Sequence, residues 1–203
     1  MIDTISNVLV NFLLKHDVIK DTEDERAYYK YGMEISISSI LGIVLITSLG
    51  IVFQKVMFAL IYTIMFMTLR QITGGYHAKT YFKCNLTMCL SFCTTIILSF
   101  LLKSIFCSGT FIIHLLLSIA ITIVFCPVAN ENKPIKPESK NKFKIFAVIL
   151  SVFFSLIGYY IFQHSYDSGI FIIATIIMIN VLIVLPKLIE GGDKYGKYNC
   201  RNS

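Results

Sequence analysis

The stretch RQITGGYHAKTYFKCN, residues 70–85, brings an imidazole, His77, within seven residues of a thiol, Cys84. These two side chains can perform nucleophilic acyl transfer. Cysteine attacks a carbonyl as the thiolate, and an unperturbed thiol has a pKa of about 8.5. Two local features would favour the anion. Cys84 stands where a long apolar segment begins, and a helix N-terminus there carries partial positive charge. His77 as imidazolium would pair with the thiolate and then protonate a leaving amine. On one straight helix, residues seven apart share a face but lie about 10.5 Å apart along the axis. The chain must therefore turn between them. Gly74 and Gly75 precede His77 and supply the freedom to do so. The expectation is a bend or short helix carrying His77 back over the start of the segment headed by Cys84.

Other polar groups surround this pair. Arg70 either reaches out to lipid headgroups along its alkyl stem or holds a substrate carboxylate. Glu34, Gln71 and Asn85 are alternatives for a third member that orients the imidazole, and the sequence does not choose among them. No two cysteines form a CxxC pair, so neither a metal nor a redox centre is expected. Cys89, Cys93 and Cys107 are read as small apolar residues inside spans, Cys126 as a boundary residue, and Cys200 as part of a polar tail. His114 lies mid-span as a packing residue or intramembrane site; His16 and His164 look interfacial.

The elements that position these residues are membrane helices. Of 203 residues, 56% are hydrophobic and 15% charged, against roughly 25% charged in soluble domains. Residues 35–54, 84–102, 104–130, 145–166 and 168–186 each lack any charged side chain. Each is long enough for the roughly 20 apolar residues that cross a bilayer as helix. The uncharged run 56–69 has 14 residues, worth about 21 Å of helix, short of a core of about 30 Å. The expected fold is an all-α integral membrane protein of about six transmembrane helices, the second short, preceded by N-terminal amphipathic interfacial helices. Ile2, Ile5, Leu9, Phe12 and Leu13 recur at helical spacing among Asn7, Asn11 and Lys15. Thr22 with Glu25 three places on forms a capping-box pattern for a second helix. One domain fits the whole chain: residues 1–34 interfacial, 35–186 a transmembrane core, 187–203 a cytoplasmic tail. The first residues lack the basic region and small-residue site of a cleavable signal.

Six spans divide the charges unevenly. Sixteen of the 18 basic residues fall in the N-terminal region, the loops after spans two and four, and the C-terminal tail; only Lys55 and Lys103 fall on the other side. By the positive-inside rule both termini and the 70–85 motif face the cytoplasm. Anionic lipid accounts for most of these lysines and leaves no call for a nucleic-acid partner. Lys133 and Lys136, in a proline-rich loop, are candidates for holding an acidic substrate.

The pattern Arg70, Gly74, Gly75, His77 and Cys84 resembles that of the accessory gene regulator B (AgrB) family, membrane cysteine endopeptidases of peptide quorum sensing. The segment CPVANENKPIKP, residues 126–137, resembles the family's proline- and lysine-containing loop after the fourth span. The resemblance implies a substrate: an autoinducing-peptide precursor with an amphipathic helix and an acidic C-terminal tail. Cys84 would attack the bond before the tail, with His77 as base and acid. The precursor's own cysteine or serine would then close a thiolactone or lactone ring. It also implies a homodimer and needs no cofactor. The alternative is a small peptide transporter or exporter. It is opposed by the expectation that only the span with His114 carries a strongly polar intramembrane residue.

Overall fold

The computed structural model describes residues 2–20, 22–74, 80–128 and 137–200. These residues form α1 (Ile2–Lys15), α2 (Glu23–Val52), α3 (Val56–Thr73), α4 (Tyr81–Leu102), α5 (Ser108–Phe125), α6 (Pro137–His164) and α7 (Tyr166–Cys200), with no strand among them. The protein is an all-α integral membrane protein. Helices α2 to α7 match the six expected apolar segments, with three differences. The helix begun at Thr22 and the first span are one continuous α2. Helix α3 continues past the uncharged run through Arg70 to Thr73, so it has 18 residues and reaches about 27 Å. Helix α5 also has 18 residues, although the uncharged segment around it is much longer. The sequence therefore placed the short crossing in the second span alone, whereas α3 and α5 share that length.

Helix ends follow local chemistry. Thr22 caps α2, its side chain accepting from the Glu25 amide. The reciprocal arm differs from the expected box: the Glu25 carboxylate accepts from the Lys20 amide at 2.8 Å. Helix α1 lies along the start of α2, where Lys30 pairs with Asp3 at 2.7 Å. Hydrogen bonding to the Lys30 ammonium holds the Asp3 carboxyl below its ordinary pKa. Ser6 and Val10 of α1 are buried, while Ile5, Val8 and Phe12 are exposed in a stripe suited to a membrane surface.

Residues 53–55, 103–107 and 165 are all that separate α2 from α3, α4 from α5 and α6 from α7. Such short links force antiparallel neighbours and gather three hairpins at one end of the bundle. Lys103 pairs there with Asp167 at 2.7 Å, and the Tyr166 hydroxyl donates to the Lys103 carbonyl at 2.6 Å. The opposite end carries the close of α3, the start of α4 and the close of α5.

Helix α7 forms the centre. Ile170, Phe171, Ile173, Ile176, Ile179 and Ile183 are buried, and α7 packs against α3, α4, α5 and α6. Phe171 stacks on Phe58 and meets Phe92 edge-on. The outer faces remain apolar, with Val44, Ile64, Leu90, Ile97, Leu116 and Phe153 exposed to what must be lipid. Lipid offers no water to pair with buried hydroxyls. Thr63, Thr95, Thr122, Ser155 and Thr175 accordingly donate to carbonyls four residues earlier in their own helices. Between helices, Ser118 and Ser151 share a 2.8 Å hydrogen bond, and the Asn180 amide donates to Ser118 at 2.9 Å. Asn180 corrects the expectation that His114 is the one strongly polar intramembrane residue; its amide ties α7 to α5.

Glycines set the closest approaches. A Cβ on Gly169 would collide with the backbone of Phe162, whereas nothing lies within 4 Å of one on Gly32. Gly169→Ala should cost about 1–3 kcal/mol of stability, and Gly32→Ala should be neutral or stabilising by up to about 1 kcal/mol. Thermal unfolding in detergent, followed by loss of the monodisperse species, measures both.

Candidate functional site

The site begins where α3 stops. The Gly74 amide donates to the Arg70 carbonyl at 3.1 Å, and Gly74 then takes φ +70°, ψ −138°. That region favours glycine. Space demands glycine too, because a Cβ there would meet the carbonyl oxygen of Val128. The Val128 amide in turn donates to the Thr73 carbonyl at 2.9 Å. The segment Cys126–Pro127–Val128 is thus strapped across the end of α3, with Cys126 and Val128 buried against the cluster that includes Phe66 and Leu69. The turn expected at Gly74 is present. Its fixing by the loop after α5 was not legible in the sequence.

Helix α4 opens on the other side of the motif. Thr80 is its N-cap; the Thr80 hydroxyl accepts from the Lys83 amide at 3.3 Å. The Cys84 amide donates to the Thr80 carbonyl at 3.0 Å. Cys84 is therefore in the first turn of α4 and half-buried. The expectation for its position holds, with the helix starting three residues earlier than the apolar run.

The remaining candidates separate. Arg70 sits half-buried in the last turn of α3, its guanidinium 5.1 Å from the Phe66 ring centroid. Gln71 is exposed on the same turn. Asn85 is buried and turns towards Gly42 of α2, and its Nδ2 has no hydrogen-bond partner among the described residues. The Glu34 carboxylate accepts from the Tyr81 hydroxyl at 2.9 Å and from Ser6 at 3.3 Å. Tyr81 and Ser6 were not foreseen. The visible signal was the placement of Tyr81 one turn before Cys84 on the same helix face. Gly75, His77, Lys133 and Lys136 lie outside the described residues.

Other reactive groups stand apart. Cys89 and Cys93 occupy successive turns of α4. Cys107 is not within a span as expected. It is the exposed N-cap residue of α5, at the hairpin end, and hydrogen bonds from the backbone amides of Thr110 and Gly109 draw its thiol below its usual pKa. The expected helix start was misplaced because Ser104, Ile105 and Phe106 carry no charge to mark the boundary. His114 is buried, with no partner for Nε2 among the described residues. No group of three metal-ligating side chains occurs among the described residues.

The chain is 26% identical over 207 residues to protein FsrB of Enterococcus faecalis, covering 96% of this chain and 82% of that protein. It is 29% identical over 175 residues to a putative AgrB-like protein of Clostridium beijerinckii, covering 86% and 82%. With the accessory gene regulator protein B of Staphylococcus aureus it shares 26% identity over 133 residues, covering 65% and 70%. No solved structure matches the chain. The sequence pattern of accessory gene regulator B matches residues 6–185, which span most of α1, all of α2 to α6 and the membrane part of α7, and this protein belongs to that family.

Proposed function

We propose that this protein is a membrane-embedded cysteine endopeptidase that removes the C-terminal tail of an autoinducing-peptide precursor and promotes ring closure in quorum sensing. The observation that carries the reading is Cys84, half-buried in the first turn of α4. Three residues of chain join His77 to Thr80, spanning at most about 11 Å. Chain length therefore lets the imidazole reach the start of α4.

The chemistry balances without a cofactor. His77 takes the Cys84 proton, and the thiolate attacks the carbonyl carbon before the tail. The C–N bond breaks as the imidazolium protonates the leaving amine, leaving an acyl thioester on Cys84. A cysteine or serine of the precursor then attacks that thioester. The new thiolactone or lactone forms, and the Cys84 sulfur leaves. A site at the bilayer boundary limits water, which favours cyclisation over hydrolysis. Arg70 and the loop lysines Lys133 and Lys136 supply positive charge for an acidic tail. The homodimer expected from the sequence remains part of this proposal.

The orientation proposed is both termini and the Cys84 end in the cytoplasm, with Lys55, Lys103 and the three hairpins outside. In intact cells, a membrane-impermeant maleimide should label Cys107 and leave Cys84 unlabelled until the membrane is opened. The reverse pattern would overturn the orientation.

Purified protein mixed with precursor should yield a hydroxylamine-sensitive acyl adduct. Cys84→Ala should abolish the adduct and tail release; Cys89→Ala should change neither. Tail release by Cys84→Ala would falsify the nucleophile assignment. His77→Ala should slow acylation by about 100- to 10,000-fold. Gly74→Ala shifts both the α3 close and the strap, and should lower acylation by up to about 100-fold while the protein stays monodisperse.

A further inference from the structure

Glu34 stands on α2, some fifty residues before the reactive thiol, yet it touches the helix that carries it. One carboxylate oxygen accepts from Tyr81 of α4 at 2.9 Å; the other accepts from Ser6 of α1 at 3.3 Å. Ser6 is fully buried, so its hydroxyl cannot substitute water for this contact. The single Ser6 proton is shared between the Asp3 carbonyl at 2.9 Å and the Glu34 carboxylate at 3.3 Å, which holds the hydroxyl beside Glu34. Tyr81 is the first residue of α4, and Cys84 follows it by about one turn. A rigid aromatic ring thus links the Glu34 carboxylate to the turn that presents the thiol.

We infer that Glu34 is a positioning residue for Cys84, acting through the Tyr81 hydroxyl, with Ser6 holding the carboxylate in the orientation that Tyr81 needs. This rests on the proposed role of Cys84 for its catalytic consequence, but not for its geometry. A carboxylate beside the nucleophile's helix would oppose a thiolate if its charge were the useful property. The structure instead spends both carboxylate oxygens on hydrogen bonds to two other helices. What the site takes from Glu34 is therefore its acceptor geometry. Helix α1, with Ile5, Val8 and Phe12 exposed along its outer face, is joined to the reactive turn by the same two contacts.

The test needs no peptide substrate. Full-length protein in lipid nanodiscs is alkylated with iodoacetamide over a range of pH, and the rate at Cys84 is read by peptide mass spectrometry, with Cys93 as the internal reference. Tyr81→Phe removes one hydroxyl, and Glu34→Ala removes the acceptor. Both should change the Cys84 rate by about fivefold or more and displace its pH profile, leaving Cys93 unchanged. Glu34→Gln keeps an acceptor for Tyr81, and its amide can donate to the Ser6 oxygen while the Ser6 proton goes to the Asp3 carbonyl, so it should stay within about twofold of the parent protein. Unchanged Cys84 profiles in Tyr81→Phe and Glu34→Ala would overturn the inference. So would equal changes at Cys93, which mark general loosening, or Glu34→Gln matching Glu34→Ala. The peptidase reading fails separately: it falls if Cys84→Ala still releases the tail, whatever the alkylation profiles show.

Discussion

Inside a bilayer an unpaired backbone amide or carbonyl costs several kcal/mol, and every helix leaves such groups at its ends. The protein meets this constraint differently at its two ends. At the hairpin end the links are so short that neighbouring helices close one another, as where Tyr166 reaches the Lys103 carbonyl. At the other end α3 and α4 are separated by a longer polar stretch. There the close of α3 is completed by the Val128 amide, supplied from beyond α5. The Thr73–Val128 contact therefore does more than finish a helix. It brings the loop after α5 onto the residue from which the motif departs. The described residues on either side of the motif are fixed by tertiary structure at Thr73 and Gly74 and by a helix cap at Thr80.

The interior divides labour between apolar packing and a few polar links. Lipid is as apolar as a side chain of leucine, so burial of grease alone gives little reason for helices to associate. Interlocking shapes and hydrogen bonds supply it. Phe58, Tyr62, Phe66, Phe92 and Phe171 form a continuous aromatic group between α3, α4 and α7. The Tyr62 hydroxyl finds Ser91 at 2.5 Å. The Ser118, Ser151 and Asn180 contacts bind α5, α6 and α7, each worth about 1 kcal/mol. These hydroxyl and amide groups are spent on one another, which gives them a structural role.

Position separates the cysteines more than sequence context does. Cys84 and Cys107 both stand at helix N-termini. One faces the end that gathers the motif and the strap; the other lies exposed among the hairpins. Cys126 is buried within the strap itself, and Cys89 and Cys93 line α4 between them. Cys84 and Cys107 each have a histidine seven residues away in the sequence, but Cys107 caps the single helix that carries His114, which sets those two about 10.5 Å apart along its axis.

The sequence by itself determined the class of fold, the number and order of apolar helices, the cap at Thr22 and the turn at Gly74. All of these depend on composition, period and chemistry within one or two turns. It also singled out Cys84 at a helix start. Tertiary structure decided which distant residues meet: Val128 with Thr73, Glu34 with Tyr81 and Ser6, Asn180 with Ser118. It also decided that α7 is central, because a segment rich in isoleucine reads alike whether it faces lipid or protein. The end of a helix within an uncharged run was hidden for the same reason, so Cys107 was assigned to the membrane. Local signals report what a chain does with its nearest neighbours. Partners many turns away are chosen by packing geometry, which no short stretch of sequence contains.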